Sequence, residues 1–465
     1  MKRIITALMC AVLLVSCVSK DERMATIKGQ FTGDASNVEL HLSKVEHGKR
    51  VKVASTTLSK DGYFGFIYPI DEPGIYVVNT TNSATKRPAI QDHHLKRFYL
   101  EPGTEITINM DAGSYELIDT NSDKNKLLSL WNMHIDTVFT YSHGFMYART
   151  TYKDFYPLLP RYVAQAEQFS STVSSGDASF DELMKLMIDV DITTAALRFI
   201  QTPRTEHAKR EDYPEFYDII LTDKIPSSPR LMELPDGIGY MRSFTMYATT
   251  SMAERPAVNQ QIYFDLDHIN NDLLKGYYVV NNLRSFKSYD RSYLDFKEMV
   301  TPYLQNEYLK NTFEEYEISI RKFETGAEGY DFVGKDINGK EWKLSDFRGK
   351  LVYVDVWATW CQPCKKEIPA LKVLEKKYHG KPIVFLSISL DKAKDHQKWV
   401  NYVKNEELKG VQLIADKDFN SDVAKVYGIN AIPRFMLFDK EGKIITTDAP
   451  RPSQKETEVL LKKHL

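Results

Sequence analysis

Val354-Asp355-Val356-Trp357-Ala358-Thr359-Trp360-Cys361-Gln362-Pro363-Cys364-Lys365-Lys366-Glu367-Ile368-Pro369 is the stretch on which the reading of this chain turns. Leu351–Trp357 is an apolar-aromatic run interrupted only by Asp355, as expected of a strand buried in a sheet. A helix is expected from about Gln362 to His379, with Cys364, Ile368, Leu371, Leu374 and Tyr378 on one face. Cys361 then stands at a strand-to-helix junction, where unpaired amides and the helix dipole favour a thiolate. A thiolate is the attacking species of disulfide exchange. Cys364, one turn later, can close a disulfide with it. Pro363 stiffens the first turn, where its missing N–H costs nothing.

Two other readings of the pair are a structural disulfide and half of a zinc site. A disulfide across two residues constrains little chain entropy. A zinc site needs two further ligands. The chain has 4 cysteines, and the others are Cys10 and Cys17 near the N-terminus. Redox exchange is therefore the favoured reading, and no metal site is expected.

Around this motif, residues 326–465 alternate strand and helix signals. A hairpin turn is expected at Asp336-Ile337-Asn338-Gly339, and a second buried strand at Ile383–Ile388. Helix Lys394–Glu406, strand Val411–Ala415, helix Asn420–Tyr427, hairpin Phe435–Ile445 and a final helix complete an α/β pattern. The segment has 25 basic and 20 acidic side chains, net +5, in a chain of net −2.

The first 16 residues read as a lipoprotein signal peptide. Met1-Lys2-Arg3 is a positive start and Ile4–Val15 a short apolar run, too short for a membrane-spanning helix. Leu14-Val15-Ser16-Cys17 resembles a bacterial lipobox, so Cys17 is expected to carry lipid and anchor the chain. Residues 17–23 form a tether. Lys20-Asp21-Glu22 resembles an export tag of some surface lipoproteins, which leaves cell-surface display as the alternative to the periplasmic face of the outer membrane.

Residues 24–118 read as an antiparallel β-sandwich. Val38–Leu42 alternates, as do Phe64, Phe66 and Tyr68, and then Ile106, Ile108 and Met110. His93-His94 reads as surface loop rather than a metal site, because consecutive strand residues point to opposite faces. Residues 119–325 read as a helical domain. Leu127, Trp131, Ile135 and Val138 share a face, and Ser179-Phe180-Asp181-Glu182 fits a capping box. Helices are also expected near Tyr162–Thr172 and over Tyr289–Lys322. Gly237-Ile238-Gly239 lacks the third glycine and the strand of a dinucleotide loop.

A chain of 465 residues holds roughly two to four domains. Its 61 basic and 63 acidic side chains argue against a nucleic-acid partner held by phosphate charge. A charged fraction of 27% and an aromatic fraction of 12% exclude a disordered chain.

The long cysteine motif resembles the active-site signature of TlpA/ResA-type thioredoxin-like proteins, through most of residues 326–465. The N-terminal region, including Tyr99-Leu100-Glu101-Pro102-Gly103, resembles the β-rich domain of multidomain envelope lipoproteins in that family. The resemblance implies a C-terminal thioredoxin fold and an envelope thiol-disulfide oxidoreductase whose only redox group is the Cys361–Cys364 disulfide, without a bound cofactor. Cys361 corresponds to the attacking cysteine and Cys364 to the resolving one. Asp355 matches a buried acid that takes the resolving thiol's proton, and Glu367 an acid near the pair. Ile432-Pro433 resembles the cis-proline substrate groove, with Trp360 and Trp357 flanking the site. Arg434 replaces the usual small polar residue after that proline, which suggests acidic or bulky partners. Gln362-Pro363 lacks the histidine of strong oxidants, so a reductant is expected. The implied partners are cysteine-containing envelope proteins, apocytochrome c among them, and a membrane thiol electron donor. Oxidase or isomerase activity and a non-enzymatic binding lipoprotein stand as alternatives. So does a peroxidase, although that chemistry needs a threonine where Ala358 stands.

Overall fold

In the computed structural model, eight strands open the described chain: β1 (Met24–Phe31), β2 (Val38–Glu46), β3 (Lys49–Thr57), β4 (Tyr63–Pro69), β5 (Gly74–Asn82), β6 (Lys96–Leu100), β7 (Glu105–Met110) and β8 (Tyr115–Thr120). The structure describes residues 23–34, 38–82, 96–143, 150–252, 260–415 and 417–465. The expected signal segment, Cys10, Cys17 and His93-His94 lie outside these residues.

Two four-stranded sheets, in the orders β4-β1-β7-β8 and β3-β2-β5-β6, form the sandwich. The alternating residues of the sequence make its core. Leu40 and Leu42 from one sheet meet Phe64, Phe66, Ile106, Ile108 and Met110 from the other. Strand β1 runs parallel to β7, opposite in sense to its pairing with β4. Gly29 allows that approach, because a Cβ there would collide with the Ile108 carbonyl.

Helices follow: α1 (Asp123–His143), α2 (Tyr152–Phe155), α3 (Leu159–Thr172), α4 (Ala178–Gln201), α5 (Phe216–Asp223), α6 (Gly237–Thr250), α7 (Gln261–Asp267), α8 (Asp272–Asn282), α9 (Arg291–Val300) and α10 (Glu307–Arg321). Two local expectations shift. Asp177, not Ser179, caps α4, and its carboxylate accepts from Ser179 N and Phe180 N at 2.9 and 3.1 Å. Ser179 already lies inside the helix, whereas Asp177 sits just before it and reaches the free amides, a contact generally worth about 1 kcal/mol. On α1 it is Leu128, next to the expected Leu127, that joins the buried Trp131, Ile135 and Val138. The helical segment expected over 289–322 is made of α9 and α10. Pro302 stands between them, where it has no N–H to continue the ladder.

The chain divides into two compact units, one ending at Tyr278 and one running from Val279 to Leu465. This differs from boundaries at 118/119 and 325/326, and specific contacts account for the difference. In the first unit, Arg97 of β6 forms a buried bidentate pair with Asp191 of α4, which ties sandwich to helices. In the second, Phe323 joins the core of the α/β fold, and Thr447 Oγ1 donates to Lys287 O.

That α/β fold contains β9 (Val333–Lys335), β10 (Glu341–Lys343), β11 (Leu351–Trp357), α11 (Gln362–Lys377), β12 (Ile383–Ser389), α12 (His396–Asn405), β13 (Val411–Ile414), α13 (Asp422–Val426), β14 (Arg434–Phe438), β15 (Ile444–Thr446) and α14 (Lys455–His464). The mixed seven-stranded sheet has the order β10-β9-β13-β12-β11-β14-β15. Every residue of β11 is buried. Its even-numbered valines enter a core with Leu386, Ile388 and Met436, while Leu351 and Tyr353 pack with Leu371 and Leu374 of α11 and Leu461 of α14. Period two therefore places Asp355 on the α11 side of the central strand.

Candidate active site

Strand β11 ends at Trp357, and four residues later Cys361 caps α11. Its backbone is still extended, and its Sγ accepts from Cys364 N at 3.2 Å. Cys361 and Cys364 are joined as a disulfide with their Cα atoms 5.3 Å apart. The loop delivering them is held by a residue that the sequence reading missed. Asp391, 1% exposed, accepts from Thr359 N at 2.9 Å and from Thr359 Oγ1 at 2.8 Å. Ser389 Oγ donates to the same carboxylate at 2.7 Å. An aspartate two residues past the serine that ends β12 was the available signal. Thr359 is thereby turned to Asp391, and Ala358 occupies the position three before Cys361.

Around the disulfide lies a small apolar cluster of Trp357, Ala358, Trp399, Val400, Val403 and Ile414, with Ile432 against it. Trp357 thus backs the pair from inside. Trp360, by contrast, is 51% exposed and lies beside Phe419, ring centroids 6.2 Å apart. The Ile432–Pro433 bond is cis, as the resemblance implied. Arg434 departs from expectation: it does not face a partner. It is 3% exposed, its Nε donates to Thr447 O at 2.6 Å, and Asp448 lies 3.6 Å from Nη1. As first residue of β14 it is aimed inward by strand alternation, and it braces the chain that follows the proline.

Asp355 is buried, and among the described residues its Oδ1 has no hydrogen-bond partner. Burial, reinforced by the negative charges of Glu367 and Glu375, pushes its carboxyl up to about 8. The group is thus poised to hold or release a proton near neutrality. Glu367 is buried rather than solvated. Ser453 N and Oγ both donate to it at 3.1 Å, and Arg451 approaches to 4.0 Å. Glu375, two turns further along α11, was also missed. Burial raises it to about 7, against the lowering influence of Lys372 and Lys409. Helical spacing from Ile368 and Leu371 marked its face.

A thioredoxin-type sheet with a Cys-x-x-Cys pair capping the helix after its central strand defines a thiol-disulfide oxidoreductase. The AhpC/TSA family model matches residues 325–447. The thiol-disulfide oxidoreductase ResA of Bacillus thuringiensis subsp. konkukian (strain 97-27) is 34% identical over 151 residues, covering 32% of this chain and 84% of the relative. ResA of Bacillus cereus (strain ATCC 10987 / NRS 248) is 36% identical over 142 residues, covering 30% of this chain and 79% of the relative. A thiol-disulfide oxidoreductase structure from Bacteroides fragilis NCTC 9343 aligns at 30% identity over 30% of this chain and 99% of that one, with a TM-score of 0.27. The chain belongs to the ResA-like family of thiol-disulfide oxidoreductases.

Proposed function

We propose that the protein reduces disulfides of extracytoplasmic proteins, including the Cys-x-x-Cys-His pair of apocytochrome c. Cys361 thiolate attacks the substrate disulfide, forms a mixed disulfide and expels one substrate thiolate. Asp355 then takes the proton of Cys364. The new thiolate attacks Cys361, closes the 361–364 bond and expels the second substrate thiolate. The substrate gains two electrons and the protein pair loses them. Glu367 adds negative charge that keeps Asp355 basic enough for this transfer. Trp360, Ile432 and Pro433 offer an apolar edge against which an extended substrate lies.

One observation carries the reductive direction. The residues between the cysteines are Gln362 and Pro363, both exposed, and Cys361 Sγ accepts a single backbone N–H. A thiolate with so few donors is weakly stabilised, which favours the more reducing couple. The orientation of Thr359 toward Asp391 argues against peroxidase chemistry. Reduced protein mixed with an oxidised Cys-x-x-Cys-His peptide tests the reading. The expected outcome is conversion of the peptide to dithiol, one per protein disulfide formed. Oxidation of the dithiol peptide by the disulfide form instead would overturn it.

The same proposal places the protein at the periplasmic side of the outer membrane, anchored through lipid on Cys17 and recharged by a membrane thiol donor. Labelled palmitate in cells should enter the protein, and Cys17→Ser should abolish the label. Equal labelling of that variant would remove the anchor from the account.

A further inference from the structure

The buried acid Asp355 needs a route by which its proton reaches water, and the sheet register supplies one. Asp355 of β11 is directly opposite Ser387 of β12, and Ser387 is opposite Gln412 of β13. Cross-strand partners share a face, so these three polar residues form a row across three strands whose other side chains, Ser389 and the Tyr353 hydroxyl apart, are apolar. All three are buried, at 7%, 3% and 8% exposure. They line one cavity with Trp357 of β11, Glu375 of α11 and Lys409 of the loop before β13. The cavity volume is about 10 Å³, room for roughly one water.

The acceptors in this cavity are incompletely satisfied. Gln412 Nε2 donates to Lys409 O at 3.0 Å, while among the described residues neither Gln412 Oε1 nor Asp355 Oδ1 has a donor. Water can donate to two acceptors, so a polar cavity with two buried orphan oxygens is the kind that holds one. At the outer end, Glu375 is half-buried. The loop closes over it at Gly410, where a Cβ would lie 2.8 Å from Glu375 Oε1 and 2.7 Å from Phe385 O. Lys372 donates to Glu406 O at 2.5 Å. Lys409 supplies the second nearby positive charge.

We propose that the Asp355–Ser387–Gln412 row, with Glu375 at its mouth, is the proton passage between the redox pair and solvent. This rests on the reading of Asp355 as the proton acceptor for Cys364. Each oxidation of the pair leaves one proton on Asp355. That proton passes through water in the cavity to Glu375 and on to solvent, and the reverse route reloads the acid before reduction. Glu375 acts through Asp355 and is a relay residue, not a catalytic one. The near-neutral titration of both acids fits a transfer between them.

The test is single-turnover oxidation of the reduced full chain by a quenched fluorescent disulfide peptide from pH 5.5 to 9. Glu375→Gln should slow the mixed-disulfide resolution step about tenfold at pH 7, and small buffer acids such as imidazole should restore it. Glu375→Asp should retain most of the rate. Gln412→Leu, which leaves both acids and their charges in place, should slow the same step with no change in the reduction potential. Wild-type rates and pH profiles in Glu375→Gln and Gln412→Leu would overturn the passage, as would slowing that no buffer acid relieves. Asp355→Asn separates the two ideas. Slow resolution in that variant with normal Glu375→Gln refutes only the passage, whereas a normal rate in Asp355→Asn refutes the underlying proton-acceptor reading.

Discussion

Two buried aspartates, one in each compact unit, are treated in opposite ways. Asp191 accepts from the two terminal guanidinium nitrogens of Arg97, at 2.9 and 2.7 Å, and from the indole N–H of Trp131 at 2.7 Å. Arg97 Nε is in turn satisfied by Asn132 at 2.9 Å. Asp355 has no cation among the causes that set its titration, and one of its oxygens is unpaired. A buried ion pair in which each guanidinium nitrogen and each carboxylate oxygen has a partner fixes geometry, and here it locks β6 against α1 and α4. A buried acid without such partners costs stability, and a fold retains it for the proton it can move. The difference separates architecture from chemistry within one chain.

The largest effect expected from testing this contrast lies in the redox pair itself. Cys361→Ser should lower disulfide exchange to the uncatalysed level while leaving the far-ultraviolet circular dichroism unchanged. Retained exchange would remove Cys361 from the attacking role. Next is Asp191→Ala, which strands the Arg97 charge and should cost about 3–5 kcal/mol in urea unfolding of the first unit. Its reduction potential should equal the parent's. If Arg97→Met combined with Asp191→Leu recovers most of the loss, the pair is architectural.

Asp355→Asn should act in the reverse sense on stability. Because the folded carboxyl titrates at about 8, above its ordinary range, the folded state holds a proton that the unfolded state has released. Stability therefore falls as pH rises from the ordinary carboxylate range toward 8, at up to about 1.4 kcal/mol per pH unit, and levels off above it. The asparagine variant should lose that share of the slope and be more stable than the parent at pH 9, as read from urea midpoints at pH 5, 7 and 9. Equal slopes in the two proteins would mean that Asp355 is ionised and compensated in the fold. The smallest effect belongs to Trp360→Ala at the exposed edge. A severalfold rise in KM for a peptide disulfide with little change in kcat is expected, and an unchanged KM would take Trp360 out of the groove.

The parts of this picture that were legible in the sequence are those in which one residue type has one physical use. The alternating Phe64, Phe66, Ile106, Ile108 and Met110 became the sandwich core, and the apolar run Leu351–Trp357 became the central strand. The Cys361-Gln362-Pro363-Cys364 spacing put one cysteine on a helix cap with the other a turn away. What stayed hidden depends on contacts far apart in sequence. Arg434 looked like a groove residue but is drawn inward by Thr447, and the hold of Ser453 on Glu367 spans 86 residues of sequence. Asp391 and Glu375 carry no motif, and their only local signals were a position just past β12 and a position on the buried face of α11. The helices after Val279 pack with the α/β fold because Phe323 completes its core, a pairing that no local pattern announces.

The most direct test of the account is the reduction potential of the Cys361–Cys364 pair, measured by equilibrating the chain in graded thiol buffers and quenching by alkylation. The reductive role predicts a value near or below about −250 mV. A value above about −180 mV would contradict it and make the protein an oxidase or isomerase of disulfides.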